Sequence, residues 1–394
     1  MTTLDKLKAR FYLFSLFDDF MPIYPLYAVM FTARGVGAAE LSALLFTWGA
    51  ITFLLEIPSG AVGDRYPRKY VLMFAQVMRA AGFLVWLLVP NFLGFLIGFI
   101  LWGVKSAFTS GTRQALVYDA LKSHGAAHTY SKVAGRMASL KLIGNAAATF
   151  LAVAFVVSGY DALLLLSVGF SLVNIAVLAT LPHVPKQSTL EHETRYFDYL
   201  KGGVQYALTH RTVLRIIAIA SIVLGFGALD EHYGVFFDEI GLTDQAIGIW
   251  MGILLVVGIC MSLVAHRFMR SRVLTRGHTL AFVVALWGAA LMIASFVDAA
   301  WAPLVIVLFG AFFFLIQTLS DGWLQRTITS DARATVTSVE GFVAELGALT
   351  SYVVVGIVAE LTNYATGMRA MAVVIIVAAL ATLVIHVRSA KERA

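Results

Sequence analysis

The chain has 394 residues, of which 60% are apolar and only 13% charged, and its 29 Lys and Arg against 23 Asp and Glu leave a formal net charge of +6. Soluble domains are nearer about 45–50% apolar and about 25% charged, so a water-soluble globule is excluded, and a disordered or collagen-like chain with it. The single cysteine, Cys260, lies in an apolar run and offers neither a disulfide nor a cysteine-based metal site.

Twelve stretches of about 20 mostly apolar residues can each cross a bilayer. They fall at approximately 11–33, 39–61, 70–90, 92–120, 130–157, 161–181, 211–237, 243–266, 277–298, 302–326, 334–360 and 364–388. Runs such as LLLLSVGFSLVNIAVLATL do not alternate polar with apolar residues as barrel strands do. The backbone must therefore satisfy itself as helix within lipid. The fold expected is an all-α integral membrane protein of twelve transmembrane helices.

Span 1 follows MTTLDKLKAR without a small-residue cleavage site, so it reads as a retained helix and not a signal peptide. Asp18 and Asp19 sit roughly 12–14 Å past Arg10 at the helical rise. Pro22 and Pro25, in MPIYP, donate no backbone hydrogen bond and loosen the helix beside these acids, with Tyr24 and Tyr27 close by. Between spans 2 and 3 stands GAVGDRYPRK, holding Gly60, Gly63, Asp64, Arg65, Pro67, Arg68 and Lys69. Span 4 places Trp102, Lys105, Thr109 and Arg113 on one stripe and ends at Asp119; span 5 does the same with Met137, Lys141, Asn145 and Thr149.

The longest polar interval, 182–210, carries Tyr196, Leu200, Val204 and Leu208 at four-residue steps. It reads as a cytoplasmic linker with an amphipathic helix, or more plainly as a loose loop given Gly202 and Gly203. It divides a six-helix bundle, 1–181, from a second, 211–394. Span 7 shows Phe226, Asp230, Tyr233 and Phe237 on one stripe, span 10 shows Phe309, Phe313, Gln317 and Asp321, and span 11 carries Glu345 near mid-depth.

The two halves read as parallel pseudo-repeats. RGVGAAELS after span 1 matches DEIGLTDQA after span 7 at an offset of 204, and Val133 and Gly135 match Val339 and Gly341 at an offset of 206. Such a repeat places a substrate site between the halves near the midplane. Of the 29 Lys and Arg, only Arg34 and Arg369 fall on one side, and Arg79, Lys105, Arg113, Arg136 and Lys141 lie within spans. All others share the side of both termini, which is therefore cytoplasmic. Topology accounts for the basic balance, and no nucleic-acid partner is expected.

The loop between spans 2 and 3 resembles the signature segment of the major facilitator superfamily, Gly-x-x-x-Asp-Arg/Lys-x-Gly-Arg-Arg/Lys, with Pro67 at the second Gly. The resemblance covers the whole chain at the level of twelve spans in two sets of six. It implies a monomeric multi-pass carrier of a cell membrane, a bacterial inner membrane being expected, working by alternating access. It also implies a cavity lined by spans 1, 4, 7 and 10. Gly60, Gly63, Asp64, Arg65, Arg68, Lys69 and Asp119 would form a gating loop: Asp64 facing the start of span 11, Arg68 pairing with Asp119, and the glycines permitting close helix approach. The plainer alternative is a loop that only sets topology. Resemblance to the drug:proton antiporter branch is weaker: those exporters often have an arginine in mid-span 4 and a Gly-Pro motif in span 5, where this sequence has Lys105 and Gly144 without an adjacent proline.

Ionisable groups within spans are costly and mark function by default. Asp18, Asp19, Tyr24, Tyr27, Lys105, Thr109, Arg113, Lys141, Asn145, Asp230, Tyr233, Phe313, Gln317 and Glu345 are the expected substrate and proton cavity. Carboxylates withdrawn from water titrate nearer neutrality, so Asp18, Asp19, Asp230 and Glu345 are candidate proton carriers, with Lys105 and Lys141 holding a substrate acid or a counter-carboxylate. Structural ion pairing is the alternative for each. The expected function is proton-coupled efflux of small amphiphilic organic molecules or drugs; the alternative is a carrier of an organic anion. No ATP-binding or catalytic constellation stands in the sequence, so no enzyme activity is expected. A proton gradient serves as energy source, with no cofactor and no metal, and the partners are lipids, substrate and protons.

Overall fold

A computed structural model describes residues 2–182, 205, 209, 211–268, 277–299, 301–327 and 333–391. Span 1 is broken. Helix α1 (Thr3–Asp18) starts at a capping box, Thr2 Oγ1 accepting from Asp5 N–H at 3.1 Å and the Asp5 carboxylate accepting from Thr2 N–H at 3.1 Å. Hydrogen bonding from the Thr2 side chain, and then from the Thr2 backbone, holds the Asp5 carboxyl below its ordinary range. The helix stops at Asp18, and a 3₁₀ turn, Tyr24–Leu26, with Pro25 in its first positions leads into α2 (Tyr27–Ala33). Span 7 breaks in the same way without any proline: α8 (Arg211–Gly227), a 3₁₀ turn at Ala228–His232, then α9 (Tyr233–Glu239).

The other spans are continuous. They are α3 (Ala38–Arg65), α4 (Arg68–Leu88), α5 (Phe92–Ser123), α6 (Tyr130–Phe155) and α7 (Tyr160–Ala179) in the first half. In the second they are α10 (Asp244–Phe268), α11 (Gly277–Ala294), α12 (Ala302–Thr327), α13 (Arg333–Leu361) and α14 (Tyr364–Lys391). Among the described residues, nine helices are long and apolar enough to cross a membrane; Thr279–Ala294 is a shorter apolar helix. The stripe expected within the linker 182–210 lies outside the described residues.

Two compact units result, one of Met1–Val36, Leu44–Glu193 and Asp244–Gly252, the other of Gly37–Ala43, Thr194–Thr243 and Ile253–Ala394. Their internal packing follows one plan. In the first, α1 packs on α6, and α4 on α5 and α7; in the second, α8 packs on α13, and α11 on α12 and α14. The turn after each broken span repeats as well. Gly35 (φ 88°) and Gly241 (φ 92°) take the left-handed conformation that favours glycine. Val36 N–H then reaches Phe31 C=O at 3.1 Å, and Leu242 N–H reaches Phe237 C=O at 3.0 Å. These positions lie 206 residues apart, so the offset of 204 read for this segment is corrected to the 206 seen at spans 5 and 11. The error arose from matching Gly37, which needs no special backbone, to Gly241, which does.

Glycine sets how closely the paired helices approach. A Cβ on Gly144 of α6 would fall on the Leu16 carbonyl of α1, and one on Gly225 of α8 would lie 2.6 Å from Ala344 O and 2.8 Å from Gly347 Cα of α13. Forcing side-chain volume into such contacts costs about 1–3 kcal/mol or more. Gly144→Val is therefore expected to lower the thermal unfolding temperature in detergent. Gly135→Ala, on the same helix with nothing within 4 Å of the added carbon, should leave it unchanged; equal shifts would dismiss the close-packing role.

Candidate functional site

The first unit gathers its in-span charges at the break in span 1. Asp18, the last residue of α1, has no exposed side-chain surface. Its Oδ1 accepts from Gln76 Nε2 of α4 at 2.8 Å and lies 3.4 Å from Lys105 Nζ of α5, while Oδ2 lies 3.3 Å from Arg113 Nη1. Arg79 of α4 donates to the Asp18 backbone carbonyl left free by the helix end, to Gln76 Oε1, and to Ser171 Oγ of α7 at 3.3 Å. Ile23 N–H, freed by the same break, donates to Ser167 Oγ of α7 at 3.1 Å. The break is thus sealed by side chains from three other helices, as buried polar groups require.

Asp19 points elsewhere. Its Oδ2 is 2.9 Å from Lys141 Nζ of α6 and its Oδ1 is 3.9 Å from Lys105 Nζ, so Lys105 bridges the two carboxylates. The Asp19 and Lys141 side chains are 20% and 35% exposed, and Arg113 is 27% exposed, against 7% for Lys105. The cluster therefore has a caged end at Asp18 and an accessible end at Asp19, Lys141 and Arg113.

The remaining expected residues of this unit separate into two groups. Thr109 donates to the Lys105 carbonyl at 2.8 Å within its own helix, and Asn145, one turn beyond Lys141, keeps a buried Oδ1 without a hydrogen-bond partner. Tyr27 is buried against Phe31, Trp86, Phe99 and Trp102, with Tyr24 packing on Tyr27 and Trp102 at 6.1 Å between ring centroids. Tyr27 belongs to an aromatic core.

In the loop between α3 and α4, Arg68 pairs with Asp119 of α5, and its Nη2 lies 3.4 Å from Asp64 Oδ1. Pro67 caps the start of α4. Lys69 Nζ donates to the Ala179 and Leu181 carbonyls at 2.6 and 2.7 Å, satisfying the end of α7. Arg65 is exposed. Gly63 fits the expected close approach, since a Cβ there would lie 2.9 Å from Thr112 Oγ1. Gly60 does not: nothing lies within 4 Å of an added carbon, because that face of α3 has no neighbour there among the described residues. Residues 328–332, just before the expected partner of Asp64, lie outside the described residues.

In the second unit Asp230 is exposed and Tyr233 buried at the break in span 7, while Gln317 and Glu345 are half-buried. The Phe313 ring packs on Gly227 and on Trp287, with 5.2 Å between centroids for the ring pair. His232 is fully buried, its Nε2 3.2 Å from Ser42 Oγ, with the Tyr352 and Tyr364 rings 5.9 and 6.4 Å away.

Sequence reasoning missed Gln76, Arg79, Ser167, Ser171 and His232. Arg79 was visible as a charge inside span 3 with Gln76 three residues before it, a same-face spacing that marks a polar stripe. The serines gave no signal, since isolated serines are ordinary in membrane helices.

The sequence matches the family model of the Major Facilitator Superfamily over residues 11–352. Among curated proteins none matches the chain. In fold it is similar to the nucleoside transporter NupG, at 17% identity and a TM-score of 0.74, covering 98% of this chain and 99% of that one. It is also similar to a bacterial homologue of the human lysosomal transporter Spinster, at 15% identity and a TM-score of 0.74, covering 98% and 97%. A POT family transporter in complex with 5-aminolevulinic acid shows 11% identity and a TM-score of 0.74, covering 97% and 96%. At these identities the likeness is one of fold.

Removing one partner from a buried ionic network leaves the others uncompensated and costs about 3–5 kcal/mol. Asp18→Asn is therefore expected to reduce accumulation and unfolding temperature markedly, and Asp19→Asn only slightly because its side chain is part-exposed; the reverse order would overturn the division into caged and accessible ends. Arg68→Asp should impair transport, and adding Asp119→Arg should restore part of it. No recovery in the double variant would show that the pair itself is not what matters.

Proposed function

The chain belongs to the major facilitator superfamily, and from that membership we propose that this multi-pass membrane transporter, which is no enzyme, is a proton-coupled secondary carrier of small organic molecules. Its proton seat is Asp19. The observation that carries this reading is the Asp19–Lys141 pair, 2.9 Å apart, part-exposed, and joined through Lys105 to the caged Asp18. A proton placed on Asp19 cancels the charge that Lys141 faces, and Lys105 transmits the change to a buried group at a helix break. Asp18, with both carboxylate oxygens engaged and no exposed surface, serves as the structural anchor and not as a carrier. The break in span 1 supplies a backbone able to rearrange as the charge changes, in keeping with broken spans in carriers that alternate access.

Efflux of amphiphilic or drug-like molecules is the second reading. It is favoured by the aromatic side chains around the break in span 7, where Trp287 and Phe313 pack together beside Gly227. A cationic amphiphile, however, would meet surplus positive charge in the first unit.

The experiment uses inside-out membrane vesicles carrying an imposed pH gradient. Organic acids and amphiphilic cations are added in turn, and dissipation of the gradient is followed. Vesicles with the wild-type protein should respond to at least one class, and Asp19→Asn vesicles should show no response. An undiminished response in Asp19→Asn vesicles would remove Asp19 as the proton seat.

A further inference from the structure

We infer that the transported molecule carries an acidic group, carboxylate or phosphate, received by Lys141 and Arg113, and that it moves in the same direction as the proton. The inference rests on the carrier reading above and adds the charge of the substrate and the sense of coupling.

The argument begins with charge balance. Asp18 and Asp19, at the break in span 1, share one cluster with Arg79, Lys105, Arg113 and Lys141, the four cations standing on α4, α5 and α6. Two carboxylates face four cations, and no other carboxylate pairs with these side chains among the described residues. An uncompensated charge among apolar helices is costly, so the cluster as it stands favours an additional anion. The cations differ in their freedom to receive one. Arg79 is fully buried and engaged with the Asp18 carbonyl, Gln76 and Ser171, and Lys105 lies between the two carboxylates. Lys141 and Arg113 are the exposed members, at 35% and 27%. They come from different helices, α6 and α5, and each holds one carboxylate oxygen at 2.9 and 3.3 Å. A guanidinium and an ammonium held on adjacent carboxylates, Asp18 and Asp19, suit a carboxylate or phosphate, the one by paired donors and the other as a point charge. The unpartnered Oδ1 of Asn145, one turn beyond Lys141 on α6, adds an acceptor for a hydroxyl or amine on the same molecule.

The sense of coupling follows from the same geometry. With Asp19 ionised, Lys141 already has its counter-charge. Protonation of Asp19 raises the surplus by one and releases Lys141 to an incoming anion. Proton and anion thus favour each other's binding and load together, whereas a cationic substrate would compete with the proton and exchange against it.

Purified protein is screened by thermal shift against matched sets of aromatic and aliphatic carboxylates, phosphate esters, the corresponding neutral amides, and the corresponding ammonium compounds. Proteoliposomes with a lumenal pH dye then report proton movement, with the response of protein-free liposomes subtracted. Anions should raise the unfolding temperature selectively and acidify the lumen when added outside. Lys141→Gln and Arg113→Gln should each weaken the anion's apparent affinity about tenfold, while Lys6→Gln, on the exposed start of α1, leaves it unaltered. The inference is overturned if amides or ammonium compounds match the anions, if chloride or sulfate stabilises equally, if no anion binds, or if the lumen turns alkaline. Proton-coupled flux of cations alone would retain the carrier and discard the anion. Selective anion binding with no flux of any compound would discard the carrier and retain the anion site.

Discussion

One carboxylate governs the first unit. Asp18 is removed from solvent at the point where α1 ends, and it is tolerable there only because Gln76, Lys105 and Arg113 surround its oxygens. That requirement ties α1 to α4 and α5 through a single side chain. Arg79 then takes the carbonyl that the helix end leaves open, and Ser167 takes the Ile23 N–H on the far side of the break. The interruption in span 1 is therefore a built feature, with a freed carbonyl and a freed N–H on its two sides each taken by a side chain on a neighbouring helix. The next residue along, Asp19, inherits a fixed position and turns towards α6, where it stays part-exposed. Two adjacent acids thus perform different tasks because the backbone aims them at different surroundings.

The second unit reuses the architecture with different side chains at the matching positions. Its span 7 breaks at the equivalent place, and its helices pack in the same pairs. Yet the offset of 206 leads from Asp18 and Asp19 to Leu224 and Gly225, and from Lys141 to Gly347. Both units bring the paired helices close through glycine, Gly144 against Leu16 in the first and Gly225 against Gly347 in the second, but the first adds an ion pair between Asp19 and Lys141 where the second has Gly225 and Gly347.

Much of this was legible beforehand for a simple reason: lipid imposes a length and a composition on every crossing segment, so apolar runs and basic loops report the crossings directly. The prolines of span 1 announced its break, and the in-span charges Asp18, Asp19, Lys105, Arg113 and Lys141 announced the cluster. The break in span 7 was hidden, because Gly225 and Gly227 are ordinary in membrane helices and only their contacts with Gly347 and Phe313 reveal their part. Arg79 stood in plain view as a charge, but its partner is a backbone carbonyl that becomes available only when α1 stops at Asp18.

By itself the sequence determined the helical membrane class, the family and the set of charges that had to find shelter, since each follows from hydropathy, spacing or a short motif along the chain. Tertiary structure alone decided which acid is caged and which is accessible, that Tyr27 serves the aromatic core, and that Gly63 meets Thr112 while a carbon added at Gly60 meets no described residue. The physical reason is that solvation and pairing belong to the space between helices. Residues one apart in the chain face different neighbours there, and residues more than eighty apart, such as Asp18 and Lys105, share a charge.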